Sequence, residues 1–172
     1  MTLGFTQTIN GQPNFFIEKI WAGLIATRQA TISDYERYQD DHRLLIGSGF
    51  PDYGQMMINS KDHTIREDRH NRWKACMDIH FVINNRSPKR FQFAPVVKCV
   101  LVQEIKIDYY LGPDIDPQIF IAGKIFYSER IGVDFGLRDL AVNDGFDGIS
   151  SFLDYFDRNF TGKIIHWTNL KY

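Results

Sequence analysis

The sequence predicts an α+β fold, a small mixed β-barrel with flanking helices, built as a single domain over residues 1–172. Three observations carry that expectation. Apolar residues recur at helical spacing near each end, the middle switches to a period of two, and turn clusters cut the middle into short segments. The length is near one domain's worth. With 44% hydrophobic and 15% aromatic residues, including 14 Phe and 8 Tyr, the chain carries an apolar payload that a disordered sequence lacks.

The elements follow in order. "NFFIEKIWAGLI" places Phe16, Ile20 and Leu24 four apart, with Phe15 and Trp21 near the same stripe and Gly23 near its end, which predicts a helix. Residues 25–59 change character: "TISDYERYQDDHRLLI" has Ser33 followed by Glu36, a capping-box spacing, and then "GSGFPDYGQ" breaks the pattern. A helix plus a Gly/Pro-rich loop with little apolar content reads as an excursion from the core. "MDIHFVIN" alternates as a strand and "NNRSPKRF" is a turn. "FQFAPVVKCVLVQEIKI" is a long β-branched run in which Pro95 marks a bulge or edge. "QIFIAGKIFY" predicts two short strands around Ala122-Gly123. "ISSFLDYFDRNF" returns to helical spacing through Ile149, Phe152, Leu153, Phe156 and Phe160, and "KIIHWTNL" predicts a last strand in which His166 and Trp167 alternate between core and surface.

A formal net charge of -1 excludes the overall basic excess of a protein that coats nucleic acid, so any such contact is a local patch. Cys76 and Cys99 are too far apart for a CxxC pair, and the start lacks a basic region followed by an apolar one, which together predict a reducing, cytoplasmic compartment. No run approaches the ~20 apolar residues of a membrane helix.

"SKDHTIRED", residues 60–68, packs charge and hydroxyls into nine positions. Such a stretch is commonly a solvated turn. Lys61 and Thr64, however, are three apart, so one helical turn or a tight loop brings amine and hydroxyl together. A partly desolvated lysine is a usable base, a threonine needs one to become a nucleophile, and Arg66 adds a planar fork for an oxyanion or phosphate. Arg66, Arg69, Arg72 and Lys74, with Trp73 among them, form a local basic cluster with an aromatic, suited to holding a phosphate while stacking a base. The alternative is a surface turn with Trp73 packed inward. His63, His70 and His80 lack zinc-ligand spacing, "NDGFDG" lacks the ligand order of an EF-hand loop, and no metal or cofactor is expected.

In order, "FFIEKIWAGL", "KDHTIRED" and "RWKACMDIHF" resemble the ASCH superfamily, whose fold is the PUA-like β-barrel, and in particular its small bacterial amidohydrolases that deacetylate N4-acetylcytidine. Lys61, Thr64, Ile65 and Arg66 match the family's K-x-x-T-I-R motif, and Gly23 matches its helix-end glycine. Carried over, the resemblance implies Lys61 as proton acceptor, Thr64 as nucleophile and Asp144 as proton donor. The family pattern has Glu where this chain has Asp144, and "NDGFDG" also reads as a capping and turn cluster. Residues 25–59 are inserted where the family runs directly from the glycine into the lysine, and Cys76-Met77 replaces a Gly-Asp pair. If that glycine has positive φ, Cys76 is strained there.

The expected function is a nucleobase, nucleotide or RNA binding module, with Arg66, Trp73, Arg72 and Lys74 as ligand-binding residues. Amide hydrolysis of an acylated cytidine by Lys61, Thr64 and Asp144 is the alternative, and docking of a protein partner through residues 25–59 is the third.

Overall fold

A computed structural model describes residues 1–50, 59–110 and 116–172; residues 51–55 of the predicted loop at 47–55, and with them part of the 25–59 segment, thus lie outside the described residues. The protein is a mixed α+β chain with two compact units: residues 1–62 with 77–98, and residues 63–76 with 99–172.

The first unit is organised around β5 (Asp78–Ile83), paired in parallel with β1 (Thr2–Phe5), and antiparallel with β6 (Phe91–Gln92) and β7 (Val97–Lys98). The long β-branched run is therefore not one strand. It breaks between β6 and β7 around Pro95, which has no N–H for a ladder bond, and resumes as β8 (Leu101–Asp108). A small hairpin, β2 (Thr8–Ile9) with β3 (Gln12–Pro13), leads into helix α1 (Phe16–Ala26). α1 buries Phe16, Ile17, Ile20, Trp21 and Leu24, the stripe its spacing predicts. Each fully buried large side chain contributes roughly 1.5–3 kcal/mol. Phe5 meets Phe16, Phe81 and Phe93 with ring centroids 5.8–6.3 Å apart, and the Trp21 indole N–H donates to the Phe93 carbonyl at 2.8 Å.

Helix α2 (Ile32–Ile46) corrects two expectations. Its capping box is Thr31 with Asp34, not Ser33 with Glu36: the Asp34 N–H donates to Thr31 Oγ1 at 3.1 Å and the Thr31 N–H to Asp34 Oδ2 at 3.0 Å. Nor is it an excursion. Tyr35 is 1% exposed and stands edge-on to Trp21 at 5.2 Å, while the His42 ring packs on Phe50 and Phe91. Three buried side chains, Tyr35, Gln39 and His42, dock a helix that hydropathy alone leaves solvated.

The second unit holds a six-stranded antiparallel sheet in the order β11 (Val133–Asp134), β10 (Lys124–Ser128), β9 (Gln118–Ile121), β8, β12 (Phe160–His166), β4 (His63–Arg66). Among the described residues neither this sheet nor that of the first unit closes into a barrel; the expected mixed α+β content is present. Ala122 and Gly123, at φ 50° and 77°, form the two-residue turn between β9 and β10 that the sequence marks. Helices α3 (Leu137–Asn143) and α4 (Ile149–Tyr155) precede the last strand. The predicted helix is shorter than its apolar spacing suggests, because Phe160 already begins β12 and pairs with Ile107. His166 and Trp167 do not alternate: both are 0% exposed.

Candidate functional site

Each predicted site residue has a definite place within its own unit. In the first, Lys61 is 1% exposed; its N–H donates to the Lys19 carbonyl at 2.9 Å and its ammonium lies 4.6 Å from the Phe16 ring centroid. Gly23 lets this segment lie on α1: a Cβ there would stand 2.5 Å from Asp62 Oδ1 and 3.3 Å from the Lys61 carbonyl oxygen. Burial raises the affinity of the Asp62 carboxyl for its proton, against the Ser60 hydroxyl bond at 2.8 Å and the Lys61 charge.

In the second unit, Thr64 sits in β4 and is 2% exposed, so no helical turn carries Lys61 and Thr64 together. Asp144 is the C-cap residue of α3 and 4% exposed. Its Oδ1 accepts the Ile65 N–H at 3.1 Å and lies 3.8 Å from His63 Nδ1. A carboxylate thereby satisfies a main-chain donor on the edge strand, next in sequence to Thr64.

The basic-aromatic cluster divides. Trp73 is 5% exposed, so its ring packs inward rather than offering a stacking face, and its N–H donates to Asp68 Oδ2 at 2.9 Å. Burial opposes ionisation of Asp68, but the Trp73 and Arg72 N–H groups and the Arg72 charge, 3.7 Å away, outweigh it and hold the carboxyl below its ordinary range. Arg72 and Lys74 are exposed and Arg66 is half-buried. Cys76 takes φ 68°, a left-handed backbone conformation in which a residue with a side chain is strained.

The antiparallel register assembles a face that spacing does not reveal. Arg66, Lys163 and Glu104 are cross-strand neighbours over β4, β12 and β8, as are Thr161, Lys106 and Phe120 over β12, β8 and β9. Side chains alternate along each strand, so these six share one side of the sheet, while Ile65, Ile105, Ile107, Ile119, Ile121 and Ile164 share the other and are buried. The polar side opens into a concavity of about 820 Å³ lined by Arg69, Glu104, Lys106, Phe120 and Lys163 among others. That volume matches small-ligand sites of ~300–1,000 Å³.

The charges there are matched. Lys163 Nζ lies 2.8 Å from Glu104, Lys106 Nζ 2.5 Å from Asp108, and Arg69 Nε 2.7 Å from Glu67. The Lys163 bond and charge hold the Glu104 carboxyl below its ordinary range. Lys106 also sits 5.9 Å from the Phe120 ring centroid. Spacing missed Phe120, Lys106 and Lys163, whose only sequence signal is the polar half of a period-two pattern.

A second buried polar group lies on the opposite side of the same sheet. His63 Nε2 is hydrogen bonded to Tyr172 Oη at 2.8 Å, Asn143 Nδ2 donates to that oxygen at 3.0 Å, and Gln103 bonds the Tyr172 main chain at 2.6 and 3.1 Å. The His166 ring stands 5.3 Å from that of His63, and burial pushes its pKa down to about 4. Among the described residues no three His, Cys, Asp or Glu side chains converge in a way that holds a metal ion, and no helix is long and apolar enough to cross a membrane. No family model, curated protein or solved structure matches the chain.

Proposed function

We propose that this protein binds a base-bearing ligand, a nucleobase, nucleotide or short single-stranded RNA, on the open polar side of the sheet in its second unit. The observation that carries the reading is Phe120, half-buried on a sheet surface, with the Lys106 ammonium beside its ring and the 820 Å³ concavity around it. An aromatic on an exposed sheet face stacks a base without regard to its identity, and adjoining cations hold a phosphate. Arg69 and Lys163 supply those cations here, and Arg66 stands beside Lys163 in register.

Titrating labelled single-stranded RNA and free nucleosides at low salt tests this. Binding should weaken about tenfold in Phe120→Ala, from ~1–3 kcal/mol of stacking per base. No binding at high micromolar protein, or equal affinity in the variant, overturns it.

The K-x-x-T-I-R resemblance supports a second reading, amide hydrolysis of an acylated cytidine in the manner of the ASCH amidohydrolases. It is favoured by Asp144 being held on β4 at Ile65, adjoining Thr64, while Lys61 is itself buried. Lys61 would take the Thr64 proton, Thr64 attack the acyl carbon and Asp144 protonate the leaving amine, after which water releases the acyl group from Thr64 as the free acid. The absorbance change of N4-acetylcytidine reports turnover; activity retained in Lys61→Ala refutes the mechanism.

A further inference from the structure

We propose that Cys76 and Cys99 are a peroxide-responsive thiol pair that closes into a reversible disulfide within the second unit. They are the only two cysteines in the chain, and both are free thiols. Though far apart in sequence, they are joined directly: the Cys76 N–H donates to the Cys99 carbonyl at 2.7 Å. A single bond of that length keeps the two Cα atoms within roughly 6–7 Å of each other, inside the range that disulfides span.

Cys76 also occupies the left-handed region at φ 68°, where glycine would be free of strain, and an outlier of this kind calls for a functional reason. The two thiols differ in a way that divides the chemistry between them. Cys76 is exposed and meets the oxidant; Cys99 is 1% exposed, and its Sγ–H points to the Leu101 carbonyl at 3.6 Å. Burial pushes the Cys99 thiol up to about 11, so it resists direct oxidation and makes the second step the slow one.

The step balances with a hydroperoxide as oxidant. The Cys76 thiol gives up its proton and its sulfur attacks one peroxide oxygen, the O–O bond breaks, and with hydrogen peroxide the departing hydroxide takes that proton and leaves as water, giving a sulfenic acid at Cys76. The Cys99 sulfur then attacks the Cys76 sulfur, the S–O bond breaks, and a second water carries off the Cys99 proton. Two electrons pass from the thiols to the peroxide. The new bond closes a ring of chain from Cys76 to Cys99, which contains β5, β6 and β7.

The full chain is treated with hydrogen peroxide, denatured, and assayed for free thiols and intact mass, with dithiothreitol reversal and peptide mapping. The expected result is loss of the Cys76 thiol followed by that of Cys99, a final mass lower by two hydrogens, a linked 76–99 peptide pair in monomeric protein, and recovery on reduction. In Cys76→Ser, loss of the Cys99 thiol should slow at least about tenfold. Cys76 driven to sulfinic acid with Cys99 still free, a disulfide between two chains, or no thiol loss would each overturn the pairing. Since Cys76 is exposed, its serine variant is expected to fold; unchanged Cys99 oxidation in it also counts against the proposal.

Discussion

Lowering the pH from 7 to 5 should remove about 2 kcal/mol of folding stability through His166 alone. The ring is 0% exposed in β12, and neither of its nitrogens has a hydrogen-bond partner among the described residues. Burial therefore disfavours the imidazolium, and the group titrates at about 4 when folded against 6.5 unfolded. Between those values the unfolded chain holds the extra proton, so stability falls as pH falls from about 6.5. The loss is complete below 4, at roughly 3 kcal/mol, a large share of the ~5–15 kcal/mol typical of a domain. The rings of His63 and Tyr172 stand 5.3 and 5.9 Å from that of His166, Asp144 lies 3.8 Å from His63, and all three residues are present in both proteins compared. Urea unfolding at pH 7 and pH 5 is measured for the native chain and for His166→Leu. The native chain should lose about 2 kcal/mol more than the variant on acidification. Equal losses, or a His166 NMR titration midpoint above 6, refute the reasoning.

Three further outcomes follow from single contacts. Gly162→Ala should cost about 2–4 kcal/mol, because a Cβ there runs into the Arg66 carbonyl oxygen and comes within 2.6 Å of the Phe160 ring; a urea midpoint near that of the native chain would contradict it. Asp144→Ala should lower stability by about 1–3 kcal/mol by orphaning the Ile65 N–H, while Asp144→Asn, which keeps a carbonyl acceptor, should retain most of it in thermal melts. Trp21→Phe should cost about 2–3 kcal/mol, since the buried Phe93 carbonyl loses its indole donor, read by the same melts.

Docking of α2 shows why hydropathy misled. Its mean character is polar, yet a helix is held by the few side chains on one stripe, here Tyr35, Gln39 and His42. Trp73 shows the converse: a tryptophan among arginines reads as a stacking platform or as an inward-packed ring, and its burial decides for the second.

What sequence alone determined is local. The α1 stripe, the alternation of β5 and the Ala122-Gly123 turn each depend on residues a few positions apart, where backbone sterics and side-chain period act directly. What tertiary structure decided is pairing. The parallel union of β1 with β5, the alignment of Arg66, Lys163 and Glu104 on one side of a sheet, and the bond between Cys76 and Cys99 join segments far apart in the chain. Register assigns every side chain in a strand to one face or the other, and it is set by how strands pack together, which spacing along a single strand does not encode.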